Sequence, residues 1–156
     1  MSNKNHSIFK YQNYVKFLRL IKKTGPLIKF GLVNSKSHGF LLRHDVDTDL
    51  KQALKLSLLE KKENVKCTYF LLLTSQTYNL LSKDNRQIVK QIIQNGHEIG
   101  LHFDTSMYPH YNEGLKKEIS ILSDICNTKI KSVSLHNPSV TKKYPIFKNL
   151  VNAYDP

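Results

Sequence analysis

Apolar positions along the chain switch between two periods. Residues 8–23 carry Tyr11, Tyr14, Val15, Leu18 and Ile21 on one stripe at helical spacing, which predicts a helix broken by Gly25-Pro26. Residues 39–45 read as a short buried strand. Thr48 or Asp49 then caps a helix with Leu50, Ala53, Leu54 and Leu58 on one face. The pattern repeats. Residues 66–73 predict a strand, with Val65, Cys67, Tyr69 and Leu71 on one side. A helix follows from about Asn85, with Ile88, Val89, Ile92 and Ile93 inward and Asn95-Gly96 as its stop. A third strand spans 97–102, and Leu115, Ile119, Leu122 and Cys126 mark the next helix. A fourth strand spans 131–135, Pro145 is expected to open a short helix, and 150–153 reads as a fifth strand.

Strands alternating with helices predict right-handed βαβ units and a parallel sheet in an α/β fold. In such sheets ligands bind where the strands end. Here the candidate chemistry falls at those ends: Asp45 and Asp47 close the first strand, His102 and Asp104 the third, and His136 the fourth. Asp45 and Asp47, two apart in an extended segment, point the same way. Two carboxylates so close call for a cation. With imidazoles nearby, a divalent ion fits, zinc or another transition metal. His97 and His102, five apart on a strand, face opposite sides. His102 is therefore the ligand candidate and His97 a structural residue. Asp49 reads as a helix cap. Pro138 restricts Asn137 and could aim His136 at a substrate.

Composition narrows the classes. The chain has 156 residues, is 40% apolar and carries a net charge of +12. That charge raises a nucleic-acid reading. Only Arg19, Arg43 and Arg86 are arginines, and the lysines spread over helix faces, so no nucleic-acid partner is expected. Cys67 and Cys126 have no metal or redox spacing and read as buried free thiols. No apolar run is long enough for a membrane span or a signal core, which leads to an expected cytoplasmic location. Phosphate-cradling glycine loops and Gly-x-Ser-x-Gly elbows are absent.

Four segments in order, 42–47 (Leu-Arg-His-Asp-Val-Asp), 68–70 (Thr-Tyr-Phe), 96–102 (Gly-His-Glu-Ile-Gly-Leu-His) and 134–139 (Ser-Leu-His-Asn-Pro-Ser), resemble the polysaccharide deacetylase (NodB-homology) family, in its branch with an Arg-His-Asp-Val-Asp first motif. The resemblance covers residues 38–156, leaving 1–37 as an N-terminal helical extension. It implies a distorted (β/α) barrel that removes N-acetyl groups from a carbohydrate, such as surface-polysaccharide amino sugars, with one divalent metal ion. By position it implies Asp45 as general base, and Asp47 and His102 as metal ligands. Arg43, Asn137 and Pro138 are implied in the substrate groove, and His136 in a catalytic place there.

Three departures from the family pattern stand out. Ser106 occupies the place of the second motif's usual further histidine, so Asp104, His110 or His136 must supply the third ligand. Val46 separates aspartates that are normally adjacent. The family continues through further strands, one bringing the general-acid histidine, so the chain is expected to be C-terminally partial. A catalytically degenerate domain and a basic nucleic-acid-binding protein stand as the rival readings.

Overall fold

The computed structural model describes residues 10–154. Its main sheet contains five strands, all parallel, in the order of the chain: β3 (Arg43–Val46), β4 (Thr68–Leu72), β5 (Glu98–Phe103), β6 (Ser132–Leu135) and β7 (Val151–Asn152). Helices α2 (Leu50–Lys62), α3 (Lys83–Gln94) and α4 (Tyr111–Cys126) make three of the connections. A shorter pair, β1 (Leu27–Ile28) with β2 (Phe40–Leu41), stands apart, after α1 (Tyr11–Thr24).

Strand parity sorts the side chains into two faces. Val46, Tyr69, Leu71, Ile99, Leu101, Phe103, Val133 and Leu135 pack with Leu50, Ala53, Val89, Ile92, Leu115, Leu122 and Cys126 from the helices into the core. The alternate positions form a polar face. Their hydrogen bonds show that the sheet is strongly curled. Asp45 Oδ2 on β3 accepts from Ser134 Oγ on β6 at 3.2 Å, three strands away. In a flat sheet those backbones would lie about 14 Å apart, at about 4.8 Å per strand, beyond the reach of an aspartate and a serine. The sheet is therefore a section of barrel wall with the polar face inside.

Gly100 makes that interior possible. A Cβ at this position would lie 2.5 Å from the ring of Phe70 and 2.8 Å from Ser132 Oγ. Phe70 fills the space and meets Phe30 edge-on at 5.3 Å between ring centres. Below them the Glu98 carboxylate accepts from the Gly31 amide, Thr68 Oγ1 and Ser132 Oγ at 2.9–3.1 Å. Residues 30–32, a 3₁₀ turn, thus close the barrel floor. Within the segment read as an N-terminal extension, Phe30 and Gly31 contact the barrel, with Phe30 N also donating to Thr68 Oγ1 at 3.0 Å. On its helix, Arg19 donates twice to Glu63 at 2.7 and 2.8 Å.

Capping follows the expected chemistry at α2, where Asp49 accepts from Lys51 N and Gln52 N at 2.8 and 3.0 Å. Gly96 adopts φ 97° after α3, and Asn127 adopts φ 49° after α4. The expected first helix starts at Tyr11, with Lys10 as its extended N-cap; residues 8 and 9 lie outside the described range.

Two expected elements differ. The strand expected over 39–45 is divided. Phe40 N donates to Pro26 O in the small pair, whereas Leu42 O accepts from Thr68 N in the main sheet, so the chain changes partners at Leu42. No helix starts at Pro145. The short helix here is α5 (Pro138–Thr141), which ends at Lys142 with φ 55°. Phe147 is drawn into the core beside Phe103 and Tyr111, and Pro145 O accepts from Asn152 Nδ2 at 3.1 Å, which ties this segment to β7.

A candidate metal centre at the strand ends

β3 delivers Asp45 to the barrel interior and releases Asp47 into the loop before α2. That loop is fastened from the β4–α3 connection. Ser75 Oγ donates to Asp47 O at 2.8 Å, Thr77 Oγ1 to Thr48 O at 2.8 Å, and Tyr78 OH to Val46 O at 2.5 Å. β5 brings His102, which is 3% exposed, and His136 follows β6 with its amide bonded to Phe103 O at 2.8 Å.

Asp47 Oδ1, His102 Nε2 and His136 Nδ1 form a nearly equilateral triangle. The separations are 3.1 Å from Asp47 to His102, 3.2 Å from Asp47 to His136 and 3.1 Å between the imidazoles. Three ligands at bonds of about 2.0–2.1 Å to one tetrahedral ion lie roughly 3.3 Å apart, so the donor set fits a single transition-metal ion. One carboxylate and two imidazoles also match such an ion chemically. His102 is oriented for it: Nδ1 lies 3.2 Å from Ser134 O. A proton on Nδ1 donates to that carbonyl and leaves the Nε2 lone pair facing the triangle. Burial lowers the His102 pKa, which favours the neutral ring that a metal requires. His136 Nε2 lies 2.9 Å from the Asn137 amide. Ligation through Nδ1 places the His136 proton on Nε2, with the Asn137 amide turned so that its oxygen accepts.

Asp45 stands beside this triangle on the same support. Ser134 Oγ donates to Asp45 Oδ2, while the Ser134 carbonyl faces His102. Asp45 Oδ1 is buried without a hydrogen-bond partner. Such an atom is costly to leave unsatisfied, and it suits a group awaiting a water or a substrate proton. Arg43 lies 3.6 Å from Asp45 Oδ2 and reaches Ser134 Oγ at 3.4 Å and Tyr154 OH at 3.3 Å, with its guanidinium over the Tyr154 ring. Asn137 takes a left-handed conformation, φ 44°, ahead of Pro138.

Not every expected residue joins the group. Asp104 turns away: its Oδ1 accepts from Ser106 N and Ser106 Oγ at 2.8 and 2.6 Å and caps the 3₁₀ turn Thr105–Met107. His110 is exposed at the start of α4. Of the three alternatives for a third ligand, His136 is the one within reach. His97 faces the helices, accepting from Cys67 N at 3.3 Å and lying 3.0 Å from Ser57 O. Sequence reasoning missed Ser134, whose signal was the alternation of Ser132 and Ser134 with Val133 and Leu135. It also missed Ser75, Thr77 and Tyr78, which act from a loop and carry no periodic signal.

The architecture is that of a parallel α/β barrel wall of the NodB type. No protein-family model matches the chain, and no curated protein matches it. Among solved structures, IcaB from Ammonifex degensii is similar with a TM-score of 0.55 at 14% identity, over 85% of this chain and 70% of that one. A family 4 carbohydrate esterase from Bacillus anthracis gives 0.49 at 18% identity, over 77% and 57%. A family 4 pseudoenzyme from the same organism, BA3943, gives 0.46 at 22%, over 61% of this chain. This chain spans 34% of that pseudoenzyme's length. At these identities the likeness establishes the fold, and the first comparison carries it.

Proposed function

We propose that this chain is a metal-dependent amide hydrolase of the polysaccharide deacetylase kind, acting on N-acetylated amino sugars. The triangle of Asp47, His102 and His136 at the strand ends, with the unpartnered Asp45 Oδ1 beside it, carries this reading. In this reading Asp47, His102 and His136 hold one divalent ion. When bound, that ion polarises the acetyl carbonyl and eases deprotonation of the attacking water.

The remaining steps belong to the protein. Asp45 takes the proton of the attacking water at Oδ1, while Ser134 fixes its other oxygen, and passes that proton to the leaving amine as the C–N bond breaks. Arg43 holds Asp45 from the side and presents a cation to sugar hydroxyls. Asn137 and Pro138 shape the groove beside His136. A His136 ring engaged as a ligand does not also deliver a proton to the leaving amine. The catalytic place implied for it by resemblance becomes a ligand place.

Acetate release from N-acetylglucosamine oligomers, with and without added zinc or cobalt, tests the proposal. The expected result is metal-dependent release that falls by about 10²- to 10⁴-fold in Asp45→Asn, as for loss of a general base, while metal at the Asp47 site is retained. Metal bound at that site with no acetate released from any N-acetylated sugar would sink the hydrolase reading.

A further inference from the structure

A second group of ligand-type side chains lies on the opposite face of the sheet. Glu60 on α2 is fully buried, as are Cys67 and the side chain of His97. The Glu60 carboxylate meets His44 Nε2 at 2.6 Å, Cys67 Sγ at 3.1 Å and His97 Nδ1 at 3.7 Å. Cys67 Sγ and His97 Nδ1 are 3.3 Å apart. His44, Glu60 and Cys67 bring their donor atoms within 4.8 Å of one another. Tyr14 and Tyr69 also donate their hydroxyls to Glu60.

We infer that His44, Glu60 and Cys67, with His97 as fourth donor, form a second, structural transition-metal site, suited to zinc. Bonds of about 2.0–2.1 Å to nitrogen and oxygen and about 2.3 Å to sulfur set ligand edges of roughly 3.3–3.6 Å. The distances from His97 to Cys67 and Glu60 are near that range; the His44–Glu60 contact must open, and His97, outside the three-residue group, must draw in towards His44. A proton on His97 Nε2 directed at Ser57 O leaves the Nδ1 lone pair as the acceptor; it now takes the Cys67 amide at 3.3 Å and gives up that bond on ligating. Charge also balances: one carboxylate, one thiolate and two neutral imidazoles cancel the dication, as a buried site demands. Binding releases the Cys67 thiol proton to solvent, and the His44 ring carries its proton on Nδ1. The tyrosine hydroxyls remain as outer partners of Glu60. A surface cleft of about 490 Å³, lined by His44, Tyr69 and Gln52 among others, gives an ion a way in at His44. Sulfur in the donor set selects zinc over magnesium or calcium.

Cobalt(II) loading distinguishes the two centres, because only this one contains sulfur. The wild-type chain is expected to bind two equivalents and to show a thiolate-to-cobalt band in the near ultraviolet. Cys67→Ser keeps a hydroxyl donor for Glu60 and should lose the band and one equivalent. Asp47→Ala should lose the other equivalent and keep the band. In the unsubstituted chain, zinc should slow alkylation of Cys67 at least tenfold relative to Cys126, located by mass spectrometry. That measurement needs no variant to fold. A wild-type chain with no thiolate band, or with no zinc protection of Cys67, would show a hydrogen-bonded cluster only and overturn the inference. Failure of acetate release with the band present would leave it intact.

Discussion

Glu118 sits in α4 with 1% exposure; one carboxylate oxygen accepts from Tyr108 OH at 2.8 Å and the other has no partner. Burial pushes its pKa from 4.5 up to about 7, with the Asp104 charge adding to the rise. A raised carboxylate pKa makes the folded state bind more protons than the unfolded one between those values. Its contribution is favourable below pH 4.5 and is lost as pH rises towards 7. At about 1.4 kcal/mol per unit this amounts to roughly 3 kcal/mol. Glu118→Gln should therefore flatten the fall in Tm across that window and leave a more stable protein at pH 8, read by thermal melts over a pH series. The histidines separate in a different assay. Asp47→Ala, His102→Ala or His136→Ala should each abolish ion binding at the triangle, measured by calorimetric titration in a Cys67→Ser background. His97→Ala should leave it intact and cost about 2–4 kcal/mol of stability through a buried void and two lost hydrogen bonds. Equal loss of this ion in a folded His97 variant would contradict the division.

At the scale of elements, β5 is the strand most tightly specified. Gly100→Ala should lower stability by about 1–3 kcal/mol, or roughly 3–10 °C in Tm, because Phe70 and Ser132 leave no room for a methyl group. Differential scanning calorimetry checks it, and an unchanged Tm would mean that Phe70 can move aside. The alternation of strands and helices was legible because each helix presents a clean apolar stripe and each strand is short and bounded by turn residues. The division of His97 from His102 was legible from strand parity alone. Other features were not. Leu27–Ile28 is too short for a period to register, and the change of partner at Leu42 depends on strands that are distant in sequence. Pro145 carries a helix-start signal that the burial of Phe147 overrides. Asp104 sits at a strand end like the ligands, but Ser106 two residues later draws its carboxylate into a local cap, a competition that spacing does not reveal.

For the whole molecule, the contacts of Phe30, Gly31 and Arg19 with Phe70, Glu98 and Glu63 predict that residues 10–37 unfold together with the barrel wall. Removing 1–37 would strip Phe30 from Phe70, worth about 1.5–3 kcal/mol of burial. It would also deprive Glu98 of the bifurcated hydrogen bond from the Gly31 amide, at a further cost of about 1–3 kcal/mol. A chain of residues 38–156 is expected to lose its cooperative denaturant transition and to bind a hydrophobic dye; a sharp transition close to that of the longer chain would show that the floor is dispensable. Among the described residues no helix is long and apolar enough to cross a membrane. The +12 charge is carried mostly by lysines that lie outside the metal centre.

The alternation of faces along one strand has a consequence for how this sequence can drift. On β5, Ile99, Leu101 and Phe103 answer only to volume and greasiness, so other aliphatic or aromatic residues should pass in a saturation library. Glu98, Gly100 and His102 answer to a floor hydrogen bond, a steric limit and a donor atom, and each should accept almost nothing else. Survivors of such a library should therefore show a two-residue beat, permissive and strict by turns. A strict position out of step would mark a constraint that comes from neither the helices nor the barrel interior.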